Sequence, residues 1–447
     1  MRAYPSYRPS GVPWVGDVPG HWKTKKVKHV AKHTTGWTPP TGDRSGYEGA
    51  NLWATISDLG ERFITDTRNR ISDEAVEQAG IVASAVGSLL FSFKLSVGQV
   101  SVAGVPTYTN EAIASFSPSD NFVIGWAFYA FPAFIPENSA INIYGARLLN
   151  QQRINDASLV VPPTHEQQAI ADYLDTETAR IDELIREKEG LIGLLREYRQ
   201  AVIAGHTTGA SRTGSRTSTG NVFCPTVPAT WTMVRLGKYS LIGNGSTPLK
   251  DNTEFWSGGT FPWLNSAVVN QDEVFEGSEY VTAEALRACH LPIVEAGAVL
   301  VALTGQGKTR GQATVLRIQA TINQHLAFIA LELERFDADY VFWTLTGMYE
   351  ALRMVSDGQG GTKGALTCED LSRFEIPMPS LADQRDIARQ VARETTRIDE
   401  LIAHTQDEIR LLKELRAATI ADAVLGRIDV RTADAASQPV TSNNPSV

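Results

Sequence analysis

At 447 residues, 43% hydrophobic and 20% charged, the chain has the length of two or three globular domains and an ordinary globular composition. A formal net charge of -9 and a pI near 5.5 exclude a free-standing, non-specific nucleic-acid binder, which carries a basic footprint. No apolar run approaches the ~20 residues of a membrane span, and the start, Met1-Arg-Ala-Tyr-Pro-Ser-Tyr7, lacks an apolar signal core. Cys224, Cys289 and Cys368 form neither a disulfide framework nor a metal-type pair, so the cytoplasm is the expected compartment.

Residues 1–161 read as a first globular segment, close to neutral, with 14 basic and 13 acidic side chains over 1–163. From His21 to His33 there are five lysines (Lys23, Lys25, Lys26, Lys28, Lys32) and no acid. Such a run is ordinarily a solvated face. Here it leads into Thr35-Gly-Trp37-Thr38-Pro39, whose aromatic and hydroxyl groups suit contact with base edges or phosphates. Asp73-Glu-Ala-Val76 resembles a helicase acidic box only superficially and belongs to an amphipathic, solvated helix over 72–79. Ser88-Leu-Leu-Phe-Ser-Phe93 reads as a strand, with Lys94 at its end as a further basic candidate.

Residues 162–205 predict a long helix. Pro162-Pro163-Thr164 followed by Gln167 is a capping-box arrangement. Apolar residues then recur at Ile170, Leu174, Ile181, Leu184, Leu191, Leu195, Tyr198 and Val202. Residues 206–226, rich in Ser, Thr and Gly, read as a flexible connector. A second globular segment, 227–378, is acidic at 11 basic against 17 acidic residues over 227–379. Ala298-Val-Leu-Val-Ala-Leu303 reads as a strand within it. A second long helix, 379–426, places Ile387, Val391, Ile398, Leu401, Leu412, Leu415 and Thr419 on its seam, and 427–447 reads as a disordered tail.

The two helices are copies. Arg180-Ile-Asp-Glu-Leu-Ile185 recurs at Arg397-Ile-Asp-Glu-Leu-Ile402, and Pro162–Gly209 aligns with Pro379–Gly426 without a gap at 21 of 48 positions. The globular segments repeat more faintly. Val18-Pro19, Trp22, Gly36, Thr38 and Pro39 align with Val227-Pro228, Trp231, Gly245, Thr247 and Pro248 at an offset of 209. Each helix would run roughly 60 Å over ~40 residues, and the obvious partner for each apolar seam is the other helix, antiparallel. The fold class expected is therefore α+β: two mixed α/β domains separated by two long antiparallel coiled-coil helices, as a pseudo-twofold internal repeat.

Catalytic patterns fail on inspection. Ala302-Leu-Thr-Gly-Gln-Gly-Lys308-Thr309 satisfies a permissive phosphate-loop pattern, but Arg310-Gly-Gln-Ala-Thr-Val-Leu predicts a strand where a helix is needed. Neither an Asn-Pro-Pro-aromatic nor an Asp-Pro-Pro-Tyr tetrapeptide occurs, and no His/Cys metal spacing is present. Recognition remains. In the second segment its candidates are Asn244, Ser246, Thr247, Lys250, Asn265, Gln306, Lys308, Thr309, Arg310, Gln312 and Lys363. In the first they are Lys23, Lys25, Lys26, Lys28, Thr35, Trp37, Thr38 and Lys94. Trp53 and Trp263 fit a core role at least as well.

The layout resembles the specificity subunit of type I restriction–modification systems over nearly the whole chain. The resemblance rests on Tyr4-Pro-Ser-Tyr…Ser10-Gly-Val-Pro-Trp14…Val18-Pro-Gly-His-Trp22, the Gly-x-Thr-Pro loop in each half, and the proline-flanked Gln167 and Gln384 leading into Arg-Ile-Asp-Glu-Leu-Ile helices. The first copy has Glu166 where the second has Asp383, a change that keeps the charge. The resemblance implies a non-catalytic reader of a split double-stranded DNA site, with 1–161 and 227–378 as target-recognition domains. It also implies two modification (methyltransferase) subunits and restriction subunits as partners, with S-adenosylmethionine, ATP and Mg on those partners and none on this chain. Gln167, Arg180, Ile181, Leu184, Ile185, Gln384, Arg397, Ile398, Leu401 and Ile402 then serve spacing and partner docking. The competing reading is a duplicated coiled-coil scaffold that never reads DNA.

Overall fold

The computed structural model describes residues 3–40, 42, 44–141, 145, 147–305, 307–357 and 364–432. The chain divides into two units, Met1–Glu187 with Glu408–Val447, and Lys188–Asp407. The two long helices, Thr164–Thr207 and Leu381–Val424, are each 44 residues, and each contributes one half to each unit.

Unit 1 holds a five-stranded sheet in the order His33–Thr35, Ile113–Phe116, Leu89–Ser92, Val100–Ala103, Phe63–Ile64, antiparallel except for the last pair. The strands of a three-stranded sheet, Tyr108–Thr109, Asn51–Ala54, Asn69–Ile71, are interleaved with these in sequence. The central strands are buried throughout, their serines Ser92 and Ser101 included. Unit 2 repeats both sheets: Ser240–Asn244, Leu326–Leu331, Val299–Ala302, Ala313–Leu316, Glu273–Val274, and Glu279–Val281, Phe261–Leu264, Thr321–Ile322. The expected strands at 88–93 and 298–303, and the helix over Asp73–Ala79 with Ser72 as its cap, are all present.

Each core is built from one globular segment and both long helices. In unit 1, Trp22, Phe91, Phe116, Trp126 and Phe131 pack with Ile170 and Leu174 from the start of the first helix and Val424 and Leu425 from the end of the second. In unit 2, Trp231, Val299, Phe336, Tyr340 and Val341 pack with Ile387 and Val391 from the start of the second helix and Ile203 near the end of the first. Left-handed glycines end both helices, Gly209 at φ +67° and Gly426 at φ +70°. A Cβ on Gly209 would lie 2.6 Å from Pro228, and one on Gly426 would lie 2.4 Å from Pro19.

Antiparallel pairing of the helices appears within each unit. Arg416 Nε donates to Asp182 at 2.8 Å in unit 1, and Arg199 Nε donates to Asp399 at 3.0 Å in unit 2. The two ion pairs are related by the 217-residue repeat with the helices exchanged, so one register serves both. The seam follows the sequence expectation at Ile170, Leu174, Ile181, Val202, Ile387, Val391 and Ile398, which are buried, and departs from it where Leu184, Leu191, Tyr198, Leu401 and Leu415 are exposed while Ile185, Ile192 and Ile409 are buried. Two packed helices bury a narrow stripe, and the periodicity could not choose between the adjacent isoleucine and leucine stripes.

Two further corrections concern the connector and the tail. Within 206–226, Arg216–Ser218 pairs antiparallel with Thr226–Pro228, and Arg216 donates to the Gly209 carbonyl at 2.7 Å, so this segment is built into unit 2. It copies the pairing of Tyr7–Pro9 with Asp17–Pro19, 209 residues earlier. Its Ser/Thr/Gly composition concealed a strand held by backbone bonds. In the tail, residues 427–432 are ordered: Arg431 donates to Glu166 at 3.1 Å and to Asp429 at 2.7 Å. Residues 433–447 lie outside the described residues.

Candidate nucleic-acid interface

Each unit presents the same polar frame where its first sheet strand ends. In unit 1, Gly36 lies against the strand Tyr108–Thr109 so closely that a Cβ would fall 1.7 Å from the Thr109 carbonyl oxygen. That approach lets Trp37 N donate to the same oxygen at 2.9 Å, while the indole N–H of buried Trp53 donates to the Trp37 carbonyl at 2.9 Å. The loop then aims Thr38 at Glu111, which accepts its hydroxyl and lies 3.9 Å from Lys94. The hydroxyl bond, with lesser help from Lys94, holds the Glu111 carboxyl below its ordinary range.

Unit 2 repeats the frame with other groups on it. A Cβ on Gly245 would fall 1.7 Å from the Ile322 carbonyl oxygen, Ser246 N donates to that oxygen at 3.0 Å, and the Trp263 indole donates to the Ser246 carbonyl at 3.1 Å. Thr247 donates to Gln324 Oε1 at 2.6 Å, Gln324 Nε2 lies 3.3 Å from His325 Nε2, and His325 Nδ1 lies 2.9 Å from Thr304 Oγ1. The backbone geometry is shared, and the exposed chemistry is not: a carboxylate with a lysine in one unit, an amide with an imidazole and a hydroxyl in the other. Trp53 and Trp263 are core residues that brace the loops.

The sequence candidates fall into three groups. Thr38 and Lys94 meet at Glu111, and Thr247 meets Gln324, while Thr35 accepts from Gln151 at 2.9 Å, Trp37 and Ser246 are half-buried, and Asn244 is exposed at the end of its strand. A second group has partners within the chain. Lys26 donates to the Asp156 carbonyl at 2.7 Å and Lys28 to the Asp156 carboxylate at 2.8 Å, leaving Lys23 and Lys25 as exposed members of a strand paired with Ser158–Val161. Lys250 pairs with Glu279 and lies 3.7 Å from the Trp256 ring centroid. Asn265 uses its amide oxygen to cap Ser266–Asn270, and Arg310 is buried against Asp357. Of these, Arg310 is buried and Asn265 half-buried, while Lys26, Lys28 and Lys250 stay exposed beside their local partners.

The third group surrounds the glycine loop. Lys308 is exposed, its carbonyl accepts from the Tyr349 hydroxyl at 2.8 Å, Thr309 and Gln312 are half-buried, and a strand, Ala313–Leu316, follows in place of the helix a phosphate loop needs. Gln306 and Lys363 lie outside the described residues. The sequence missed Glu111, Gln324, His325 and Thr304. Aligning Asn110-Glu111-Ala112 with Asn323-Gln324-His325 at an offset of 213 would have found the first three.

On the helices, Gln167 and Gln384 are almost fully buried and are not docking residues. Gln167 accepts from Val123 N at 2.8 Å, and Gln384 accepts from Asp337 N at 2.9 Å, so each staples its helix to a domain helix. Arg180 and Arg397 are exposed, and Ile402 is half-buried. The change from Glu166 to Asp383 does alter local bonding: Glu166 accepts from the Trp22 indole at 2.8 Å, while the shorter Asp383 accepts from Arg212 at 2.8 Å, whose guanidinium lies 5.3 Å from the Trp231 ring centroid.

The family model described as type I restriction modification DNA specificity domain matches residues 19–192 and 228–411. A specificity subunit of the type I restriction enzyme MjaIX of Methanocaldococcus jannaschii is 21% identical over 426 residues, covering 93% of this chain and 95% of that protein. A solved chain from work on complex assembly and conformational transition of the type I R-M system superimposes with a TM-score of 0.70 at 17% identity, over 92% of this chain and 99% of its own. The HsdS subunit from Thermoanaerobacter tengcongensis gives 0.54 at 16%, over 92% and 98%. No described helix is long and apolar enough to cross a membrane.

Proposed function

The chain belongs to the family of type I restriction–modification DNA specificity domains, and from that premise we propose that it is the DNA-specificity subunit of such a system, each unit reading one half of a split double-stranded site. The observation that carries this reading is the duplicated frame with unlike groups on it. Donors and acceptors on a fixed backbone discriminate base edges, and a carboxylate–lysine pair cannot read what an amide–imidazole pair reads. The chain itself is read as non-catalytic. Modification subunits carrying S-adenosylmethionine, and restriction subunits carrying ATP and Mg, would supply the chemistry and much of the phosphate affinity that an acidic chain lacks.

Docking of two identical partners is supported by two equivalent apolar patches. In unit 1 the register set by Asp182 and Arg416 brings exposed Leu184 level with exposed Leu411 and Leu415. In unit 2 the register set by Arg199 and Asp399 brings Leu401 level with Leu194 and Tyr198, their counterparts one repeat away. The decisive experiment is methylome mapping of a host expressing this chain with its modification subunit, before and after exchanging residues 227–377 for those of a relative. A split methylated motif in which only one half changes is expected. An undivided motif, or one indifferent to the exchange, returns the reading to a scaffold.

A further inference from the structure

Beside the polar frame of unit 1 lies the tip that joins the strands Leu89–Ser92 and Val100–Ala103. Phe93 N donates to the Ala112 carbonyl at 2.9 Å, which sets Lys94 next to Glu111. In unit 2 Leu303 N donates to the His325 carbonyl at 2.9 Å in the same way. Thr304 therefore stands where Lys94 does, and Gly305 where Leu95 does. Gly305 takes φ +139° freely, whereas Leu95 is held at φ +57° with its side chain 91% exposed. A leucine in that left-handed region is strained. Burial does not repay the strain, which marks the tip as a contact for a ligand.

Glu111 and Lys94 are both exposed. The Thr38 hydroxyl donates to Glu111 Oε2 and fixes the carboxylate, while Oε1 faces Lys94 Nζ at 3.9 Å, beyond hydrogen-bond distance. One acceptor edge and the donors of the ammonium are thus left open side by side. The same hydroxyl bond, holding the carboxyl below its ordinary range, keeps Glu111 an acceptor at neutral pH.

Resting on the reading of this chain as a DNA-specificity subunit, we propose that Glu111 and Lys94 read one C·G base pair in the major groove. Glu111 accepts from cytosine N4, and Lys94 donates to guanine O6 and N7. Along that groove C·G shows one donor followed by two acceptors. N4 and O6 are bonded to each other, about 2.9 Å apart, so the groups that complement them must be adjacent, as this carboxylate and ammonium are. A·T instead sets one acceptor on each side of its donor, and the ammonium gains one bond where C·G gives two. In unit 2 the two positions hold exposed Gln324 and Thr304. An amide, donor and acceptor together, suits adenine N7 and N6.

The test uses the full chain reconstituted with its modification subunits. Methylome mapping identifies the half of the split motif that survives exchange of residues 227–377, and a fixed C·G pair is expected in it. Methylation rates are then measured on duplexes carrying each of the four base pairs at every C·G position of that half. Glu111→Gln is expected to lower the preference for C·G at one position by about tenfold. Glu111→Gln/Lys94→Thr, which installs unit 2's groups, is expected to bring A·T there at least level with C·G. The other letters stay fixed, which separates lost reading from a misfolded unit 1. Should the double variant relax the whole half, Lys94→Ala, a truncation of an exposed side chain, is expected to lose about tenfold at the same position. A split motif without a fixed C·G in that half, or one read as strictly by the variants as by the parent, overturns this assignment alone. An undivided motif overturns it together with the reading on which it rests.

Discussion

Replacing Gly36 by alanine tests whether the polar frame depends on close backbone approach. The new Cβ would lie 1.7 Å from the Thr109 carbonyl oxygen, where real Cβ contacts stay above 3.0 Å, so loop and strand must part by more than 1 Å. An N–H···O bond of 2.9 Å does not survive that movement. Three bonds depend on the contact: Trp37 N to Thr109, the Trp53 indole to the Trp37 carbonyl, and Thr38 to Glu111. At about 1 kcal/mol each, the loss is roughly 3 kcal/mol, concentrated in unit 1. Hydrogen exchange on the intact chain should show faster exchange around residues 35–39 and 108–111, with unit 2 unchanged. The mirror variant Gly245→Ala, with the same 1.7 Å approach to Ile322, should reverse the pattern. In the reconstituted complex each variant should lose discrimination at one half-site only. If Gly36→Ala exchanges and discriminates like the parent, the frame is not what positions these side chains.

Gly190 and Gly193 lie mid-helix with nothing within 4 Å of an added Cβ, so alanine at each should stabilise the chain by up to about 1 kcal/mol in chemical denaturation. The half-exposed Arg199–Asp399 and Arg416–Asp182 pairs should show coupling of only about 0.2–1 kcal/mol in double-mutant cycles, diminishing with salt. Arg431→Ala removes a partner from nearly fully buried Glu166, and should destabilise unit 1 by about 1–3 kcal/mol while leaving exchange in unit 2 untouched. Asp429 is held below the ordinary range by Arg431, and Asp383 by Ser380 and then Arg212. Their folded values lie below the unfolded ~3.9, so the stability they contribute is present above that pH and is lost as pH falls through the folded values. Acid titration of Arg431→Ala should therefore show a shallower loss below about pH 4 than the parent.

The duplication, the two long helices and the mixed segments between them were legible because each leaves a local mark. Identical letters recur at a fixed offset, apolar residues keep helical spacing, and proline and glycine punctuate helix ends. The Gly-x-Thr-Pro loops were legible as special for the same reason, since only a residue without a Cβ tolerates a carbonyl 1.7 Å from where one would stand. Long-range pairing left no such mark. Arg-Ile-Asp-Glu-Leu-Ile was read as serving both the packing seam and partner docking, and packing divides that work: Ile181 and Ile398 go inward, Asp182 and Asp399 take arginines from the opposite helix, and Leu184 and Leu401 stay outside. Composition called 206–226 a connector and 427–432 a tail: the first is ordered by a local antiparallel pair that its Ser, Thr and Gly residues do not announce, and the second by Arg431 reaching Glu166 far along the chain. Glu111 and Gln324 escaped notice for the same reason: a glutamate or glutamine is unremarkable until the fold sets a threonine hydroxyl from more than seventy residues away against it. Spacing along the chain determined the elements and their repetition. Which side chains face one another, and so which of them are free to meet a ligand, was decided only when the sheets and both helices closed on each core.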